Sequence, residues 1–197
     1  FGSVLDVRAE LDMDDTDILW VADSREESAP EPMEDIMAQL EQYPTTNLDD
    51  TKTILAGDTG FYIFTSGTTG MPKAAKVGQR RLLAAGMSFS RAGVRAKPND
   101  RMYLCLPLFH GTGFICGVNS AIFSGASMFL RRKFSASAFW PEIQKYHCTI
   151  FFYVGELCRY LVTQPPCPEE KNNPLDRVFG NGLRPDVWDE FKQRFGI

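Results

Sequence analysis

A chain of 197 residues with 44% hydrophobic content is long enough to bury a sizeable core, and its formal net charge of −4 singles out no class of partner. No stretch approaches the roughly 20 apolar residues that span a bilayer, and no basic-then-apolar leader follows Phe1. Cys105, Cys116, Cys148, Cys158 and Cys167 contain neither a Cys-x-x-Cys spacing nor a companion histidine pair, so cysteine-held metal is disfavoured. Free thiols in apolar contexts fit a reducing, cytoplasmic setting.

The charge is split along the chain. Residues 1–50 hold 15 Asp/Glu against 2 Lys/Arg, whereas residues 51–197 carry a balance of +9. The basic part suits a domain that handles anions, although solvated lysines and arginines that keep a domain in solution give the same count. Basic clusters at Lys73, Lys76, Arg80 and Arg81 and at Arg131 to Lys133 lack interleaved aromatics, which argues against nucleic acid.

In chain order, residues 17–21 read as a short strand and Ser24 to Pro32, acidic with two prolines, as a surface loop. Met33, Ile36, Met37, Leu40 and Tyr43 recur at helical spacing until Pro44. Residues 1–58 form an acidic N-terminal segment, expected to belong to the same large domain as residues 59–197. Because the chain starts without Met and within a structured-looking segment, a native start upstream of Phe1 is expected.

From Phe61 strands and helices alternate. Strand Phe61–Phe64 enters a polar loop, and Ala74–Val77 leaves it extended. Gln79 to Gly93 reads as a helix, Met102 to Leu106 as a buried strand, and Gly111 to Phe123 as a helix stopped by Gly125. Ser127 to Leu130 is a strand, and Ser137 is expected to cap a helix carrying Phe139, Trp140, Ile143 and His147. Thr149 to Val154 is a β-rich apolar strand, followed by a helix over Glu156–Val162. Pro185 opens a last helix with Val187, Trp188, Phe191 and Phe195 on one face, its acids early and its bases late. This alternation implies an α/β domain of mixed sheets flanked by helices.

Tyr62 to Lys73 carries the strongest signal. A stiff strand runs into Thr65, Ser66, Gly67, Thr68, Thr69 and Gly70, and then Met71, Pro72 and Lys73. Glycines let backbone N–H groups approach phosphate oxygens, hydroxyls add donors, and the lysine brings a mobile positive charge. Two residues between the glycines, and Ala74-Ala75 after the lysine, exclude the P-loop NTPase pattern.

Thr65-Ser-Gly-Thr-Thr-Gly-Met-Pro-Lys73 resembles the phosphate-binding signature of the acyl-adenylate-forming (AMP-binding) superfamily, which includes acyl-CoA synthetases, luciferases and peptide-synthetase adenylation domains. Most members place Gly after the lysine. Ala74-Ala75 is instead similar to the branch of fatty-acid transport proteins and very-long-chain acyl-CoA synthetases. Arg131-Arg-Lys133 running into Phe134-Ser-Ala-Ser-Ala-Phe-Trp140, then Gly155-Glu-Leu-Cys-Arg-Tyr-Leu161 and Gly180-Asn-Gly-Leu-Arg-Pro-Asp186, support that branch. The resemblance is specific from about Gly60 onward and thin before it.

It implies ATP-dependent conversion of long- or very-long-chain fatty acids to acyl-CoA through an acyl-adenylate. The carboxylate attacks the α-phosphorus of ATP, pyrophosphate departs, and the thiol of coenzyme A then displaces AMP. By resemblance, Thr65, Ser66, Gly67, Thr68, Thr69, Gly70 and Lys73 hold the β- and γ-phosphates. His110 closes Leu106-Pro-Leu-Phe-His110, similar to a motif beside the acyl pocket, where an imidazole orients carboxylate or phosphate. Gly180, Asn181 and Gly182 stand where the family lays backbone against adenine; on chemistry alone a plain strand-to-helix turn before Pro185 fits as well. His147 is expected to be structural, Phe151 to Tyr153 either core or tunnel lining, and Glu156 has no support as a general base.

The family's magnesium-binding Tyr-Gly-x-Thr-Glu segment is expected shortly after Ile197, with the ribose-binding Asp and the C-terminal lysine further on. Residues 59–197 thus read as an AMP-binding core truncated before those motifs, with no metal ligand of its own, and unable to complete the reaction alone. Mg2+, ATP and coenzyme A are the implied cofactors, fatty acid the implied partner, and peripheral contact with a membrane surface is compatible. A non-catalytic fatty-acid uptake component, or an adenylating enzyme for another carboxylic acid, are the competing readings.

Overall fold

The computed structural model describes residues 10, 19–21, 28–29, 33–65 and 71–197. They fall into two compact units, Phe1–Thr53 and Ile54–Ile197. In the first, β1 (Leu19–Trp20) pairs in parallel with β2 (Glu34–Asp35). Of the strand expected over 17–21, only this part lies in the described residues with Val21; of the loop expected over 24–32, only Ser28 and Ala29 do. The helix expected from Met33 is shorter, α1 at Ile36–Leu40. The Asp35 carboxylate accepts from the Met37 amide, and that cap fixes the start. Met37, Leu40 and Tyr43 are exposed, so helical spacing there does not mark a buried face.

In the second unit, β3 (Thr59–Thr65) and β4 (Lys73–Gly78) form an antiparallel hairpin. The helix α2 (Gln79–Ser88) then widens into a π-helical turn, Phe89–Gly93. Four parallel strands follow: β5 (Arg101–Leu104), β6 (Ser127–Leu130), β7 (Ile150–Val154) and β8 (Arg177–Asn181). They lie in the order β6-β5-β7-β8. The expected strand over 102–106 ends two residues early, because Pro107 lacks a donor and restricts Leu106.

Side chains alternate across this sheet. Tyr103, Phe151 and Tyr153 pack with α4 (Ala136–Tyr146), α5 (Gly155–Val162) and α6 (Pro185–Phe195) through Phe139, Ile143, Leu157, Leu161, Phe191 and Phe195. Met102, Leu104, Ile150 and Phe152 pack on the other face with Val94 and with Ala121 of α3 (Asn119–Ser124). Phe151, Phe152 and Tyr153 are therefore core. With helices on both faces, the fold is α/β as expected, its central strands β5 and β7 buried runs while the edge strand β6 stays largely exposed.

Several boundaries differ from expectation. The helix expected over 111–123 is π-helical at Thr112–Val118 before becoming α3. Ser135, not Ser137, caps α4, accepting from the Ala138 amide at 3.3 Å. His147 lies outside that helix, ending it in the left-handed conformation (φ 51°, ψ 48°). Trp188 turns off the buried face of α6, where Val187, Phe191 and Phe195 at four-residue spacing face the core; Lys192 lies 5.7 Å from its ring centre.

The amino edge of the sheet is closed by hydrogen bonds. Asp100, before β5, accepts from Arg177 Nη2 at 2.6 Å, Thr149 Oγ1 at 2.8 Å and the Lys97 amide at 2.6 Å. Burial works to raise the Asp100 pKa, but the Arg177, Lys97 and Thr149 bonds outweigh it and hold the carboxyl below its usual range. The clamp ties together the starts of β5, β7 and β8.

Candidate functional site

After β5 the chain moves to β6 on one side and returns to β7 on the other, so the β5/β7 border is the topological switch point. Open α/β sheets bind ligands outside the carboxyl ends of their strands at such a border. The segment leaving β5 there carries His110.

Its path is tightly determined. The His110 amide donates to Pro107 O at 3.0 Å, and the Phe114 amide donates to His110 O at 3.0 Å. The Thr112 amide donates to His110 Nδ1 at 3.2 Å. A Cβ at Gly113 would stand 2.5 Å from Pro107 O, so only glycine lets the turn fold back on itself.

The hairpin rests on this turn. Ile63 Cδ1 lies at van der Waals distance from the Cβ position of Gly111, and Phe61 meets Phe114 edge-to-face with centroids 5.3 Å apart. Thr65 pairs with Lys73 across the hairpin, so the hydroxyl-glycine loop is its connection. Ser66, Gly67, Thr68, Thr69 and Gly70 lie outside the described residues, as does the side chain of Thr65. Lys73 is exposed as the first residue of β4.

Two apolar cavities border the turn. One, about 670 Å³, is lined by Ile63, Phe64, Phe89, His110, Thr112 and Cys116 among others. The second, about 530 Å³, is lined by Phe61, Tyr62, Leu82, Leu108 and Phe114 and shares Phe64 and Phe109 with the first. His110 is the basic side chain of the larger cavity. Burial pushes the Cys116 thiol up to about 11, so it stays protonated and unreactive at neutral pH. The structure thus brings the end of the strand before the hydroxyl-glycine loop and His110 to one space.

Gly180, Asn181 and Gly182 are not in the lining of either cavity. Gly180 and Asn181 end β8, and Gly182 is left-handed at φ 71°. A Cβ at Gly180 would stand 2.1 Å from Tyr153 O, and one at Gly155 would stand 1.8 Å from Gly182 O. The loops after β7 and β8 therefore interlock through their glycines, a packing reason that needs no ring. Glu156 accepts from Arg159 at 2.6 Å on the surface, and that guanidinium lowers its pKa. Arg131 is tied to Glu142, which also accepts from the buried Tyr103 hydroxyl at 2.7 Å. Among the described residues no group of three or more His, Cys, Asp or Glu converges as a metal site.

Phe89 and Thr112 also line the larger cavity and Gly113 permits its turn, and none of the three is expected from the sequence. The dense Gly111-Thr-Gly113 after His110 was the available signal for a tight turn; the approach of Phe89 had none.

Two relatives and one solved structure are similar to this chain. A medium/long-chain fatty-acid–CoA ligase, FadD6, of Mycobacterium tuberculosis is 45% identical over 165 residues, 84% of this chain and 28% of that protein. Human long-chain fatty acid transport protein 1 is 44% identical over 160 residues, 81% of this chain and 23% of that protein. The chain thus spans about a quarter of the length of these curated relatives. A putative long-chain fatty-acid CoA ligase structure from Rhodopseudomonas palustris superposes with TM-score 0.78 at 20% identity, covering 98% of this chain and 45% of that one, and shares the fold. The profile of AMP-binding enzymes matches residues 3–197, and the chain belongs to that family.

Proposed function

We propose that the chain forms the phosphate- and acyl-holding part of an ATP-dependent fatty-acyl-CoA synthetase acting on long- or very-long-chain acids. One observation carries this reading: the strand that delivers the hydroxyl-glycine loop and the imidazole of His110 line a single apolar cavity. A fatty acid has an apolar body and one anionic end, and such a cavity with one basic group matches both.

Thr65, Ser66, Gly67, Thr68, Thr69, Gly70 and Lys73 hold the β- and γ-phosphates, and Gly180, Asn181 and Gly182 offer backbone to the adenine. His110 orients the acid. The carboxylate oxygen bonds to the α-phosphorus as the bond to pyrophosphate breaks, and the coenzyme A thiol later displaces AMP. The protein's part is positioning and charge stabilisation. Magnesium, when bound, neutralises phosphate charge; it usually takes one or two carboxylates plus substrate oxygens, and no ligand is assigned to it here. The proposed setting is the cytoplasm, with peripheral contact at a membrane surface; no helix of the described residues is long and apolar enough to cross one.

A second reading rests on the relative named as a transport protein: a fatty-acid uptake component that binds without adenylating. Fatty-acid-dependent pyrophosphate exchange, measured in the complete protein, separates them. Exchange with long-chain acids but not with benzoate or amino acids sustains the ligase; binding without exchange favours uptake; exchange with benzoate or amino acids instead indicates another adenylating enzyme.

A further inference from the structure

His110 is held by three local hydrogen bonds, and they leave one of its polar atoms open. Its amide donates to Pro107 O, its carbonyl accepts from Phe114, and Nδ1 accepts from Thr112. Nε2 has no partner among the described residues. A neutral imidazole carries its proton on one nitrogen, and the nitrogen that accepts a hydrogen bond cannot be the protonated one.

We infer that the Thr112 backbone amide fixes His110 as the Nε2–H tautomer, so that the ring meets its ligand as a hydrogen-bond donor through Nε2. Thr112 is a positioning residue in this scheme, acting through its backbone and not its hydroxyl.

The local fold explains why this contact forms. Thr112 opens the π-helical stretch Thr112–Val118, and the first amides of a helix lack intrahelical acceptors. His110 Nδ1 supplies one, as a capping side chain would. Thr112 is buried, with 6% of its surface exposed, so its amide left unpaired would cost a desolvated donor. Gly113 cannot carry a Cβ against Pro107 O, so the turn has little freedom to slide the amide away. Loss of that fold-back would release the imidazole to either tautomer.

The consequence is chemical. Donation from Nε2 suits an acceptor oxygen, a carboxylate or phosphate, and does not suit removal of a proton by the same atom. Resting on the proposed ligase reading, it makes His110 an orienting donor to the acid or the α-phosphate rather than a general base. A ring held on one side by backbone is also poorly placed to exchange tautomers during the reaction.

Nitrogen-15 NMR of histidine-labelled protein reads the tautomer directly, without any ligand. At about pH 8.5, some two units above an ordinary imidazole, the ring nitrogens of a neutral histidine separate into a protonated and an unprotonated type. The His110 pair is identified by its loss in His110→Asn. The expected spectrum has the protonated type at Nε2, unchanged in Thr112→Val, which keeps the amide. The protonated type at Nδ1 overturns the inference. In the complete protein, His110→Gln, whose amide reaches the Nε2 position, should keep pyrophosphate exchange within about 5-fold. His110→Asn and His110→Ala should lose about 10- to 150-fold, the range of one hydrogen bond to a charged group. A Gln variant no better than Ala overturns the donor role. If the parent protein shows no exchange with any acid, the ligase reading fails while the spectrum still decides the tautomer.

Discussion

The two edges of the four-stranded sheet are built on opposite principles. At the amino edge Asp100, Thr149 and Arg177 make a closed set of hydrogen bonds, with Arg177 Nη1 also donating to Val94 O and Arg95 O. At the carboxyl edge glycines replace side chains, loops approach within what a Cβ would occupy, and His110 Nε2 has no partner among the described residues. One edge uses charge to stay shut. The other uses missing side chains to leave room, and the contrast teaches where stability and ligand binding are separable.

Arg177→Met should break the comparison most severely on the stability side. It leaves the Asp100 carboxylate, 7% exposed, without its cation, at an expected cost of about 3 kcal/mol in denaturant unfolding. Exchange by the folded fraction should be unchanged. Lys73→Ala is the mirror case at the hairpin: about 1.5–3 kcal/mol added to the exchange barrier in the complete protein, with stability within about 0.5 kcal/mol. Unchanged exchange in that variant removes the phosphate assignment from Lys73.

A smaller effect sharpens the amino edge. Because Asp100 is held below its ordinary pKa, its ionised form adds stability above the ordinary carboxylate range. That contribution is lost as pH falls through the lowered value. Asp100→Asn should cost about 1 kcal/mol near neutrality and flatten this acid limb in a pH series of unfolding curves. The least effect is expected at Phe64→Ser. Its ring is 73% exposed and borders both cavities, so stability should move by no more than about 0.5 kcal/mol while fatty-acid affinity falls.

Thiol accessibility belongs to the same contrast. Burial raises Cys105, Cys148 and Cys158 to about 12, and these three should resist a thiol reagent until unfolding.

Much of the sheet was legible for a simple reason. Ile150 to Val154 is an uninterrupted run of β-branched and aromatic residues, too short for a helix and suited to a strand buried on both faces. The π-helical turns at Phe89 and Thr112 were not legible, because they depend on which side chains crowd the turn and not on periodicity. The helix from Met33 is shorter than its spacing implies, because helical spacing describes a face and says nothing of whether anything covers it.

The candidate site divides in the same way. Residue order by itself determined that Thr65 to Lys73 is a strand-delivered loop of donors, since composition and spacing set what a backbone can offer a phosphate. It also determined that His110 follows a buried strand. Only the tertiary structure decided that His110 stands at the switch point and shares a cavity with β3, because strand order is set by packing between distant segments. It alone showed that Gly155 and Gly180 are required by one another's loops and that His110 Nδ1 is taken by a backbone amide. Hydrogen bonds of that kind depend on atomic positions within a few tenths of an ångström, which no pattern of residue types encodes.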